Sequence, residues 1–205
     1  FITAMLVFGT VGLFVRQIPL PSATIAFFRG ALGVITLLLV MLLTGKKPNF
    51  SQIKTNLFLL LLSGAAIGGN WILLFEAYQY TTVATATICY YLAPVFLVLA
   101  SPLLGEHLTT KKLALSATAL LGMVFVSGVM EGGLPPVSEL MGVLCGIGAA
   151  AFYATVMVLN KKLSPIPAYD KTVLQLGSAA VVVLPYMLLT GGADISAMTA
   201  TGWVL

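Results

Sequence analysis

Charge is the scarcest ingredient of this sequence. Asp, Glu, Lys and Arg together make up 8 % of its 205 residues, against about a quarter in ordinary soluble domains. So few charges cannot cover a water-borne fold that is 60 % apolar, so the solvent for most of the chain is lipid. Histidine occurs once, at His107, and cysteine twice, at Cys89 and Cys145, both inside apolar runs. That supply gives neither a disulfide framework nor a metal centre, and each cysteine reads as a small buried apolar residue. A P-loop is missing, which argues against ATP binding. Paired intramembrane aspartates are missing too, since Asp170 and Asp194 lie at span ends, and no G-x-S-x-G serine accompanies a membrane histidine. No enzyme activity and no cofactor are expected. The pI near 9.1 comes from basic residues spread thinly between apolar runs, so no nucleic-acid partner is expected.

What is abundant is long apolar runs. A bilayer core takes about 20 apolar residues per helix, and on that rule the chain holds seven spans and the start of an eighth. They fall at 1–18, 21–44, 57–79, 82–104, 110–130, 139–160 and 168–190, with the eighth opening near Thr199. Turn-forming stretches separate them: P-L-P at 19–21, G-K-K-P-N at 45–49, G-G-L-P-P at 132–136 and S-P-I-P at 164–167. No strand alternation is visible, and the fold class expected is an all-α polytopic membrane protein. Because the chain is already apolar at Phe1 and stops at Leu205 as a new run opens, it is expected to be part of a longer protein.

Assigning alternate connections to opposite sides places every lysine on one side: Lys46, Lys47, Lys54, Lys111, Lys112, Lys161, Lys162 and Lys171. Arg16, Glu131, Glu139 and Asp194 fall on the other. The positive-inside bias puts the lysine side, and with it the N-terminus, in the cytoplasm. The pentapeptide M-L-L-T-G occurs at Met41–Gly45 and again at Met187–Gly191, a shift of 146 residues that also lays Arg29 on Gln175 and Leu57 on Trp203. A shift of 144 aligns Phe8 with Phe152 and Thr10 with Ala154. The repeating unit then holds five spans. Five is odd, so the second copy is inverted in the membrane, the arrangement many secondary transporters use for alternating access.

The segment F-E-A-Y-Q-Y-T-T-V-A-T-A-T-I-C-Y-Y-L-A-P-V-F at 75–96 resembles the EamA family of the drug/metabolite transporter superfamily. So do L-L-G-E-H-L-T at 103–109, the glycine pair Gly122 and Gly128, P-L-P-S-A-T-I-A-F-F-R-G at 19–30 and the run at 142–155. The resemblance covers the whole chain and departs from the usual pattern at Glu76 and His107. It implies ten spans in two inverted five-span repeats, with residues 1–133 as the first repeat and 134–205 as part of the second. It also implies transport of small organic solutes, often export of amino acids or other metabolites, through the cytoplasmic (inner) membrane.

The residues point to a site near the bilayer midplane. The third and fourth spans are joined by a short turn at Tyr80–Thr82. Asn70, Trp71, Tyr90 and Tyr91 each sit about ten residues from it, roughly 15 Å in depth. Pro94, having no N–H, deprives the Tyr90 carbonyl of its helical partner and should kink the span. An amide, an indole, two phenols and a free carbonyl at one level are read as substrate-binding, because polar groups in lipid must find partners or a cavity. Arg29, roughly 12 Å deep, and Glu76 are assigned to gating or coupling, as an ion pair or in separate roles. Glu106 and His107, beside Lys111 and Lys112, read as a salt-bridged helix-starting turn. Gly64/Gly68 and Gly142/Gly146 read as close helix contacts.

The function expected is a secondary transporter moving a small organic metabolite by alternating access. A non-transporting sensor or scaffold bundle and a channel-like facilitator are the alternatives, although no ring of like charges or carbonyl filter is visible. Expected partners are a small-molecule substrate and the lipid bilayer; the sequence does not define an oligomeric state.

Overall fold

The computed structural model describes residues 20–126 and 139–190. The spans expected at 1–18 and from Thr199, the loop at 132–136, the residues from Gly191 onward and the junction between the two repeats lie outside the described residues. Seven α-helices are described: α1 (Ser22–Leu43), α2 (Phe50–Tyr80), α3 (Val83–Tyr90), α4 (Ala93–Leu99), α5 (Thr110–Val126), α6 (Leu140–Lys162) and α7 (Ala168–Leu189). A 3-10 turn follows α4 at Ser101–Leu104. No strand occurs among the described residues. Four of the helices, α1, α2, α6 and α7, are long and apolar enough to cross a membrane.

One helix differs from the sequence reading, and another breaks where Pro94 was expected to kink it. α2 has 31 residues and is about 46 Å long, starting two turns before the expected position 57. Its first turns are polar, but the Asn49 side chain accepts from the Gln52 N–H and the Asn49 N–H donates to Asp170 at 2.9 Å. Capping and docking thus hold the helix together beyond its apolar length. The expected fourth span, 82–104, is a broken helix. Thr82 caps α3 through the Thr85 N–H, and α3 ends at Tyr90. The chain turns at Tyr91–Leu92 and restarts with Pro94 in the first turn of α4, the position where a missing N–H costs nothing.

The directions of packing follow from which residues meet. Gly64 and Gly68 of α2 meet Gln175 and Ala179 of α7, so these two helices run parallel. Gly69 of α2 meets Phe152 and Leu73 meets Gly148, so α6 runs antiparallel to α2. α1 and α7 are antiparallel, with Gly30 against Leu176 and Ala180, and Val34 against Gly177. The lysine-bearing helix ends therefore gather at one end of the bundle. There Lys46 lies 4.0 Å from the Tyr169 ring centre, and the Ser164 N–H donates to the Asn56 side chain at 2.9 Å.

The glycines decide how close these helices come. A Cβ on Gly64 would stand 2.5 Å from the Gln175 carbonyl oxygen, and one on Gly142 would stand 2.7 Å from Thr81. A Cβ on Gly146 would stand 2.7 Å from the Cβ of buried Cys89, which accounts for the burial of that thiol; both cysteines are free. Lipid gives apolar helices no hydrophobic reason to associate, so close backbone packing and interhelical hydrogen bonds must hold them. The core where α1, α2 and α7 meet contains Ala26, Trp71, Phe75, Ala179 and Val183.

Both ends of α6 are tied to earlier parts of the chain by carboxylates. At its start the Thr81 hydroxyl donates to Glu139. At its end Lys161 and Lys112 both donate to Glu106, the latter at 2.8 Å, as expected for a salt-bridged turn. Lys112 and Lys161 hold the Glu106 carboxyl well below the usual carboxylate range, at about 2.

Two expected outcomes follow from this packing. Gly64→Ala must push α7 away from α2 and should cost about 1–3 kcal/mol. Gly122→Ala, where no atom of the described residues lies within 4 Å of the new Cβ, should cost nothing; thermal melts in detergent compare the two. For Glu106, the depressed carboxyl stabilises the fold fully above its unfolded value near 4.5 and loses that effect as pH falls through about 2. The melting difference between wild type and Glu106→Gln should therefore be constant from about pH 8 to about pH 5 and close below that.

Candidate substrate site

α1, α2 and α3 bring four of the predicted residues, Arg29, Asn70, Trp71 and Tyr90, to one level. Asn70 is buried and donates through Nδ2 to the Ala149 carbonyl of α6 at 2.6 Å, with the Tyr90 phenol beside its amide. Trp71 is buried in the core, and the guanidinium carbon of Arg29 lies 5.0 Å from the centre of its ring. Arg29 also faces the phenols of Tyr90 and Tyr78. A desolvated guanidinium over an indole is stabilised by about 2 kcal/mol, which offsets part of the cost of a charge at this depth. Tyr90 packs on Tyr153 of α6, ring centres 5.5 Å apart.

Three predicted residues take other positions. Glu76 accepts from the Tyr186 hydroxyl at 3.3 Å near the outer end of the bundle, with Cys145 close by. The ion pair considered between Arg29 and Glu76 does not form. Both salt bridges of the described residues converge on Glu106 instead, because α7 stands at the Glu76 side of α2 and supplies Tyr186. Tyr91 is 45 % exposed and turns toward Tyr78. Pro94 is exposed and shapes the break without joining the polar group.

Sequence reasoning passed over Tyr78, Tyr153 and a second polar group. Tyr78 lies two helical turns beyond Trp71 on the same helix, a spacing that marks a shared face. In the second group, buried Gln175 donates to Ser63 and to Asn160, each at 2.6 Å. Gln175 is the residue that the 146-residue shift lays on Arg29. The two copies of the repeated motif also end alike: Thr44 donates to the Val40 carbonyl and Thr190 to that of Tyr186, at 2.7 and 2.9 Å. Met41 and Met187 are both buried.

A cavity of about 680 Å³ lies on the lysine-bearing side, bounded by α4, the 3-10 turn and α6. Tyr153 and Asn160 line it, and through their contacts with Tyr90 and Gln175 it adjoins both polar groups. None of Asn70, Trp71, Tyr90, Tyr91 and Pro94 is in its wall. Among the described residues no cluster of three or more metal-ligating side chains is found.

Residues 1–128 match the EamA-like transporter family. The chain is 29 % identical over 198 residues to an uncharacterized transporter, YxxF, of Bacillus subtilis (strain 168), an alignment covering 95 % of this chain and 63 % of the relative. An uncharacterized transporter of Archaeoglobus fulgidus is 30 % identical over 188 residues, 89 % of this chain and 63 % of its own length. The chain thus spans 63 % of the length of these two relatives. One crystal structure shares the fold with a TM-score of 0.71 at 21 % identity, over 99 % of this chain and 69 % of the other. A family match over residues 1–128 of 205, more than half of the sequence, joins the packing and the motifs in one conclusion: the chain belongs to the EamA-like transporter family.

Proposed function

We propose that the protein is a secondary carrier built from two inverted five-helix halves, residues 1–133 and 134–205 onward. It moves a small organic metabolite, an amino acid or related solute, across the cytoplasmic membrane by alternating access, in the direction of export. Its N-terminus and its lysine side face the cytoplasm.

The observation that carries this reading is the crossing of α1 and α7. Under the 146-residue shift Gly30 corresponds to Leu176 and Val34 to Ala180. Gly30 meets both Leu176 and Ala180, and Val34 meets Gly177, the counterpart of Ala31. These contacts centre near Leu32 on α1 and Ser178 on α7, counterparts under the same shift, which supports two antiparallel halves related by a two-fold axis in the membrane plane. Arg29, with Trp71 and Tyr90, lies within a helical turn of that centre on α1, and Gln175 within a turn of it on α7. Exchange of conformations between two such halves would expose the polar groups to alternate sides. Arg29 attracts an anionic group of the solute, Asn70 and Tyr90 orient it, and Glu76 with Tyr186 gates the outer end.

Flux in proteoliposomes of the full-length protein tests this. A carrier saturates and shows counterflow when unlabelled solute is trapped inside; linear flux without counterflow contradicts a carrier and favours a channel-like facilitator. Arg29→Gln should lower transport roughly tenfold, in line with the loss of a desolvated cation–π contact. Unchanged transport in that variant would remove any charge-specific role for Arg29.

A further inference from the structure

A wall residue of the cavity on the lysine side carries a buried hydroxyl that has no partner among the described residues. Ser101 Oγ is buried and has no hydrogen-bond partner among the described residues, although it lines the cavity. Leaving a buried polar group unpaired is costly, and a carrier recovers that cost when its solute arrives. Asn160 shares the wall; its Oδ1 is taken by Gln175, so its NH₂ donors remain for the cavity. At the mouth stand Glu106, Lys112 and Lys161, a group of net charge +1. Glu106 already accepts from both lysines, whereas each ammonium has further N–H donors.

The nitrogen groups here, Asn160 Nδ2 and the two ammoniums, are donors, and with only one carboxylate between two lysines the local charge is positive. The remaining wall is apolar, with Leu97, Val98 and Val156 among its residues. Its volume of about 680 Å³ is in the range that encloses small organic molecules.

Resting on the carrier reading, we propose that this cavity is a binding site for a small solute with a carboxylate on an apolar body. The carboxylate accepts from Ser101, Asn160 and Lys161, and the apolar body lies along the α4–α6 wall. A simple amine of the same shape meets a mouth of net charge +1, where the Glu106 carboxylate is shared by two lysines, and is disfavoured by like-charge repulsion.

Binding to the full-length protein in detergent tests this by calorimetry, with 4-methylpentanoate and 4-methylpentylamine as matched probes. The carboxylate should bind and the amine should not. Ser101→Ala and Lys161→Gln should each weaken carboxylate binding about five-fold or more. Lys161→Arg, which keeps charge and donors, should restore it and shows that loss in Lys161→Gln is not misfolding. Equal binding of the amine, no binding of the carboxylate, or unchanged affinity in both Ser101→Ala and Lys161→Gln would overturn the proposal. Carboxylate binding that depends on these residues, without counterflow in proteoliposomes, would support the site and contradict the carrier reading instead.

Discussion

Everything in this fold depends on how closely α2 approaches α6 and α7. α2 lies in the middle of the described bundle and offers glycine to α7 at Gly64 and Gly68 and to α6 at Gly69. At these points no side chain separates the backbones, so carbonyls and short polar side chains come within bonding distance. Hydrogen bonds then join the α2 segment to its neighbours along its length. Asn49 bonds Asp170, Asn56 bonds Ser164, Ser178 reaches the Leu61 carbonyl, Asn70 the Ala149 carbonyl, and Tyr186 reaches Glu76. In a solvent that offers no partners, such bonds and tight packing are what hold helices in register.

Much of this was legible in the sequence because lipid imposes a length and a polarity on every span. The ends of α1, α6 and α7 fall within two residues of the apolar runs, and the gathering of lysine-bearing ends follows from the alternation of connections. Gly64, Gly68, Gly142 and Gly146 make the close contacts that their spacing suggested. The depth estimate that put Arg29 near the level of Asn70 and Trp71 is matched by the stacking of Arg29 on Trp71.

What was not legible depends on lateral neighbours, which depth alone does not supply. Arg29 and Glu76 lie two helical turns or less apart in depth, yet they face different helices, and Glu76 meets Tyr186 of α7. Tyr90 packs on Tyr153 whereas Tyr91 is exposed, a split between neighbours that equal depth does not reveal. Gln175, Ser63 and Asn160 form one buried group although they come from three helices, with no local pattern to announce it. Ser101 stood out in no motif, since an orphan hydroxyl is recognised only once its surroundings are known.

The polar groups are thus arranged in depth: Glu76 and Tyr186 outermost, Arg29, Trp71, Asn70 and Tyr90 between, and Ser101, Asn160 and the Glu106 cluster toward the lysine side. A path of this kind serves a carrier only if its two ends open in turn. Reciprocal thiol accessibility measures that directly. Cys145, partly exposed near Glu76, reports the outer end, and Met157→Cys in the cavity wall reports the inner, with Cys89 replaced by alanine. In full-length protein, a solute that raises labelling at one position by an impermeant reagent should lower it at the other. Labelling that rises at both positions together, or at one with no change at the other, would contradict alternating access.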